Sequence, residues 1–176
     1  MSAPDPVAQA RAYQQSLLAE LGEDDPAVVQ AGTPDVIRAL LDEAGPDART
    51  QPEPGEWSVL DCIAHMADGE LVVSTRYRWI IAEERPAIVG YDQALWVANL
   101  RHSEDEPEAL LALFETLRRS NLALWERFGR THGDRIGLHN ERGPESYDLS
   151  FRLAAGHDRI HLAQARRALT AVRERS

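Results

Sequence analysis

Apolar residues recur at helical spacing along most of this chain, and the breaks between the runs carry turn-forming residues. Residues 6–21 form a first amphipathic run closed by Gly22, and Asp24-Asp25-Pro26 opens a short second piece. Thr33-Pro34-Asp35 predicts a helix start, with a capping hydroxyl before a proline at the first helical position; Val36, Ile37, Leu40 and Leu41 make its stripe and Gly45-Pro46 its stop. The stretch from Thr50 to Glu56, with Pro52, Pro54 and Gly55, reads as a stiff connection. At Ser58 the hydroxyl can accept from exposed backbone amides while Asp61 reaches back, so a helix is expected from there to about Glu84, with Val59, Ile63, Met66, Val73 and Tyr77 inward.

Beyond Arg85-Pro86, residues 86–102 read as a loop with a short helical piece over Gln93 to Leu100. Ser103 and the acidic run Glu104-Asp105-Glu106 before Pro107 suit the positive end of a helix dipole. Leu110, Leu113, Phe114, Leu117, Asn121, Leu124, Trp125 and Phe128 then make a core helix that Gly129 is expected to close. Residues 130–145 are rich in turn-formers, which places His132 and His139 in a loop, and the last helix is expected over Glu145 to Arg173. No repeat, phosphate-binding glycine loop or strand pattern is evident. The expectation is an all-α, four-helix bundle with an additional N-terminal helix, a single domain over 1–176 with its core at about 30–173.

Composition narrows the function classes. With 176 residues the chain is long enough for one sizeable core. Its net charge of -10, from 29 acidic and 19 basic residues, argues against a nucleic-acid partner, which would need a basic stripe. Arg166, Arg167 and Arg173 are read as cations favoured by a helix C-terminus. The single cysteine, Cys62, excludes an internal disulfide, no apolar run approaches a membrane span, and the start lacks a basic region followed by an apolar one. A cytoplasmic protein without membrane or nucleic-acid partners is expected.

The chemistry gathers near the carboxyl end, in Gly156-His157-Asp158-Arg159-Ile160-His161-Leu162-Ala163-Gln164. Residues four apart on a helix lie one above the other, so the imidazoles of His157 and His161 can reach one point in space. Leu153, Ala154, Ile160, Gln164, Ala168 and Ala171 fall within roughly 60° of the pair at helical phase, so the pair looks inward. An inward imidazole needs a hydrogen-bond partner or a metal, because an unpaired buried polar group costs roughly 1–3 kcal/mol. The segment superficially matches the zinc-protease helix. However, Asp158 stands a methylene short of the glutamate base, and no histidine follows His161. A third ligand must come from earlier in the chain.

His65 sits on the seam of the Ser58 helix, about 100° from its apolar sector. Glu70 falls inside that sector and should be paired, by Arg76, by Arg78, or by a metal or a residue behind it. Cys62 precedes His65 by three residues, but its phase diverges and a small buried residue is the expectation.

Four pieces in order, Trp57-Ser58-Val59, His65-Met66-Ala67-Asp68-Gly69-Glu70, Arg135-x-Gly137-x-His139 with Gly143, and the 156–164 segment, together resemble the DinB-like superfamily over about residues 30–170. The resemblance implies an up-down-down-up four-helix bundle, often a homodimer, in which His65, His157 and His161 hold one divalent metal. It also implies thiol-dependent transferases or mycothiol-dependent maleylpyruvate isomerases as functional models. The isomerases resemble the bundle plus a further carboxyl-terminal domain, so the expectation turns to a metal-dependent enzyme transferring a low-molecular-weight thiol to an electrophilic small molecule. The alternatives are a metal-dependent hydrolase and a metal-binding stress-response protein without turnover. Nitrogen ligands suit zinc or nickel, with manganese or iron also compatible, and an ion left with open positions acidifies a bound water or thiol. Glu70 or Asp68 would orient a ligand histidine or move a proton, and Gln164 would contact substrate or, the favoured reading, cap the bundle interior.

Overall fold

The computed structural model describes residues 6–175, with side chains from residue 10 onward. Six helices follow one another: α1 (Pro6–Leu21), α2 (Pro26–Ala44), α3 (Val59–Ala82), α4 (Gln93–Leu100), α5 (Pro107–His132) and α6 (Tyr147–Glu174). The long helices α2, α3, α5 and α6 make the bundle. Their contacts fix the directions: Gln30 meets Phe151 and Glu43 meets Arg173, so α2 runs parallel to α6. Glu70 meets Arg118 and Arg78 meets Asn121, so α3 runs parallel to α5, whereas Arg38 pairs with Glu115 and sets α2 against α5. The course is therefore up-down-down-up, as expected.

Several local expectations hold for the stated reasons. The start of α3 is a reciprocal capping box: Ser58 Oγ accepts from the Asp61 amide at 3.1 Å while Asp61 accepts from the Ser58 amide at 3.0 Å. Others are corrected. The helix expected to begin at Thr33 begins at Pro26, capped by Asp25, and runs through Pro34. Proline has no amide for the Gln30 carbonyl four residues back, and that freed oxygen instead accepts from Arg118 Nη1 at 3.0 Å. The Thr33 hydroxyl, no cap at all, reaches Asp158 at 2.8 Å. Helix α5 passes the expected stop at Gly129 and ends at His132, and α6 starts at Tyr147 behind a Ser146 cap.

The expected loops also hold a small sheet. Strand β1 (Ala87–Ile88) lies parallel to β2 (Ile136–His139), which pairs antiparallel with β3 (Gly143–Ser146) in the register Ile136 to Ser146 and His139 to Gly143. His139 is therefore a buried strand residue, not a loop residue. Strands this short leave too little alternation to read from sequence.

Two apolar clusters fill the interior. One joins Ile37, Leu60, Ile63, Met66, Leu111, Phe114, Leu162 and Leu169 among others; the second joins Tyr77, Ile80, Ile88, Tyr147 and Phe151. Between them lies a polar layer centred on Arg118. Helix α1 packs along α6 at Gly156, where a Cβ would come within 2.0 Å of the Leu17 carbonyl oxygen. Among the described residues no helix is long and apolar enough to cross a membrane.

Candidate metal centre

The antiparallel packing of α3 against α6 brings His65 to the level of His157 and His161. Their ligand nitrogens all lie within 4.8 Å of one another, and the Nε2 atoms of His65 and His157 are 2.9 Å apart. Two of the three imidazoles thus come from one helix face, and the bundle brings the third across the seam. His65 and His161 are buried and His157 is half-buried. Trp57, just ahead of the capping box, closes one side: its ring centroid lies 5.0 Å from that of His65 and 5.9 Å from that of His161.

The protonation of the rings follows from their surroundings. Burial, with the neighbouring His161 and His102, pushes His65 down to about 3. Burial and the two other triad rings push His157 well below its ordinary value, and burial lowers His161 despite its bond to Gln164. All three are neutral near pH 7, the state in which imidazole binds a metal. The Gln164 side-chain oxygen lies 3.0 Å from His161 Nδ1, which must be the protonated nitrogen. The lone pair is then on His161 Nε2, a buried atom without a hydrogen-bond partner. An orphaned lone pair beside two further imidazole nitrogens fits a divalent ion, which takes histidine nitrogens at about 2.0–2.1 Å. Gln164 thus orients the His161 ring, a role beyond capping the interior.

The remaining sequence candidates lie elsewhere. Glu70 is not paired by Arg76 or Arg78: its carboxylate accepts from Arg118 Nε at 3.0 Å and Nη2 at 2.8 Å, and from Asn121 at 2.7 Å. Asp68 does not orient a triad ring either. It meets His102 Nε2 at 2.9 Å, and His102 Nδ1 meets Asp105 at 2.7 Å. Burial works against the charged form of His102, but the two carboxylates outweigh it and raise the ring above its ordinary value. The sequence reading missed His102; its only local signal was an aspartate three residues on. Cys62 is a buried free thiol, pushed up to about 12 chiefly by burial. Among the described residues no fourth histidine, cysteine or carboxylate joins the triad.

A cavity of 310 Å³ opens on His157, between α1, α3, α6 and the segments at 90–93 and 141–145. Gly69 faces it with no side chain; a Cβ there would sit 3.4 Å from the His157 ring and 3.7 Å from the Tyr91 hydroxyl. A second cleft, bordered by Trp57 and Gln164, reaches His161.

A bundle of this course with three histidines at one seam defines the DinB type of helical protein, and the sequence matches the DinB superfamily over residues 9–165. The chain belongs to that superfamily. A relative from Oceanobacillus iheyensis, provisionally named a metal-dependent hydrolase, is 32% identical over 109 residues; the match covers 62% of this chain and 63% of that protein's own length. YfiT of Bacillus subtilis, with the same provisional name, is 27% identical over 115 residues, 62% of each chain. A solved YfiT structure, described as a probable metal-dependent hydrolase with an unusual four-helix bundle topology, matches with a TM-score of 0.70 at 20% identity. That match covers 99% of this chain and 90% of YfiT.

Proposed function

We propose that this protein is a metal-dependent enzyme in which His65, His157 and His161 hold one divalent ion that activates a small nucleophile against a substrate in the adjoining cavity. The observation that carries this reading is the orphaned His161 Nε2, held toward the other two rings by Gln164 at a place that no further ligand among the described residues reaches. Glu70 and Cys62, the two groups able to close a purely structural site, are committed to Arg118 and to the apolar core. Three neutral imidazoles leave a bound ion its full charge and an open position, and such an ion supplies Lewis acidity to a water or thiol. The chain's part is to turn the rings, to shield one side with Trp57 and to admit the substrate past Gly69.

Hydrolysis is the reading that the names of the relatives support. Thiol transfer is kept as a second reading on one observation: the carboxylates nearest the triad are tied up, Glu70 and Asp158 by Arg118 and Asp68 by His102. Water needs a general base more than a thiol does, because a thiol already lies near pH 8.5.

Tag-free protein incubated with zinc or nickel and then dialysed should retain about one ion per chain, the stoichiometry of a three-histidine site. The combined His65→Ala and His161→Ala variant should retain none while keeping its helical circular dichroism. Ion-dependent cleavage of an ester and amide panel would select hydrolysis, and ion-dependent conjugation of a thiol to an aryl halide would select transfer. Wild type that takes up neither ion would overturn the proposal.

A further inference from the structure

The far end of the cavity that opens on His157 holds a cation without an anion. Arg76 on α3 is buried, 7% exposed, and lines the same cavity as His157. Its Nη2 donates to the Val89 carbonyl at 2.9 Å, its Nε has no partner, and no carboxylate among the described residues pairs with it. The nearby acid, Glu145, is spoken for: Arg142 Nε at 2.6 Å, Gln14 at 3.3 Å and the Ser150 hydroxyl at 2.6 Å all donate to it. At this end Arg76 and Arg142 stand with the buried Glu145, while Glu141 and Asp92 lie exposed on the rim.

Burying a guanidinium without a counter-ion is costly, and sequences rarely keep one that has nothing to bind. Arg118 shows the alternative in the same helix bundle, with two carboxylates waiting for it. We propose that Arg76 is a substrate-binding residue that takes a carboxylate group of the substrate, so that the enzyme acts on small carboxylic acids. This rests on the reading that the histidine triad holds the reactive ion. The spacing follows from the helices. Gly69 lies beside the His157 ring, and Arg76 is seven residues further along α3, about 10 Å at 1.5 Å per residue. The cavity volume of 310 Å³ suits a small molecule of that span. A guanidinium can grip the carboxylate by two parallel hydrogen bonds, which fixes orientation as well as affinity.

The test uses zinc-loaded protein and hydroxamate probes, whose hydroxamate end binds a metal. Probes ending in a carboxylate are compared by calorimetry with uncharged ones of equal length, over a series of chain lengths. The carboxylate end should tighten binding about tenfold or more, as a desolvated charge-assisted pair does, with an optimum at a span near 10 Å. Arg76→Gln should erase that advantage and leave the uncharged probe unchanged, and Arg76→Lys should keep part of it. Equal affinity for both probes in wild type, or an advantage that survives Arg76→Gln, overturns the inference. If Arg76→Gln does not fold, the length series in wild type decides, since a flat dependence also overturns it. Should neither hydroxamate bind, the metal reading fails and the subsite is judged on glutarate alone. Binding of glutarate to metal-free wild type that Arg76→Gln abolishes and Arg76→Lys only weakens supports the subsite, and no binding to wild type, or binding that survives Arg76→Gln, overturns it.

Discussion

Two polar clusters are buried side by side between α3 and α6, and they are finished to different degrees. At Arg118, 1% exposed, all five guanidinium hydrogens are used: on Glu70 through Nε and Nη2, on Asp158 through Nη1 and Nη2, and on the carbonyl of Gln30 through Nη1. Its remaining neighbours extend the network, with Asn121 bridging Glu70 and Ser74 and Thr33 completing Asp158. The histidine triad, one helical turn away, has two buried nitrogens without any partner, His65 Nδ1 and His161 Nε2. A satisfied buried network specifies how helices sit; an unsatisfied one costs stability and is kept for what it binds. Function is to be sought where the hydrogen bonds run out, and Arg76, with its unpartnered Nε, is a second such place.

Breaking the finished cluster should have the largest effect. Arg118→Ala strands two carboxylates in the interior and should cost about 3–5 kcal/mol in urea unfolding, the range for removing one partner of a buried ion network. It touches four long helices at once, and Pro34 makes the loss worse by leaving the Gln30 carbonyl without its helical donor. A cost below about 1 kcal/mol would place the cluster among surface-like pairs and dissolve the contrast.

Acid should act on the unfinished cluster. His65 is held at about 3 in the fold against an ordinary value of 6.5, so across that interval the unfolded chain binds the extra proton. Stability of the metal-free protein should therefore fall as pH drops from about 6.5 towards 3, with His65 contributing up to about 1.4 kcal/mol per pH unit. His157 and His161 are lowered too and steepen the fall. His65→Ala should flatten the slope measured by urea unfolding at a series of pH values. An unchanged slope would mean that the triad is not what acid attacks.

The contrast also explains what could be read from the chain. His157 and His161 were legible as a pair because they repeat at one helical turn on an inward face, a property of a single helix; His65 could be placed on a seam in the same way, but only the family resemblance joined it to the pair. Glu70 was legible as an acid in an apolar sector, but its partner was not, since Arg118 lies on another helix and an arginine between Phe114 and Asn121 reads equally well as solvated. Pro34 misled for a related reason. Its missing hydrogen bond reads as a helix start, and only the arriving Arg118 makes an interior proline tolerable. His102 and the strands at 87–88, 136–139 and 143–146 depend on pairings across long stretches of chain that leave almost no local periodicity.

His139 offers the finest test of the boundary between the two kinds of residue. It is buried, and burial with the charges of Arg142 and Arg76 lowers it to about 4, so it shares the triad's neutral state and even an unpartnered nitrogen, Nε2. Its Nδ1, however, accepts from the backbone amides of Glu141 at 3.1 Å and Arg142 at 3.3 Å, which fixes the turn between β2 and β3. A nitrogen already accepting two amides is not a free ligand. His139→Ala should leave metal content by elemental analysis unchanged and cost about 1 kcal/mol in urea unfolding. It should also loosen the hairpin carrying Arg142 and Glu145, so that a carboxylate-ended hydroxamate loses affinity while its uncharged counterpart does not. Loss of the ion instead would mean that the third ligand has been drawn from the wrong histidine, and that the hairpin, rather than the α3 seam, completes the site.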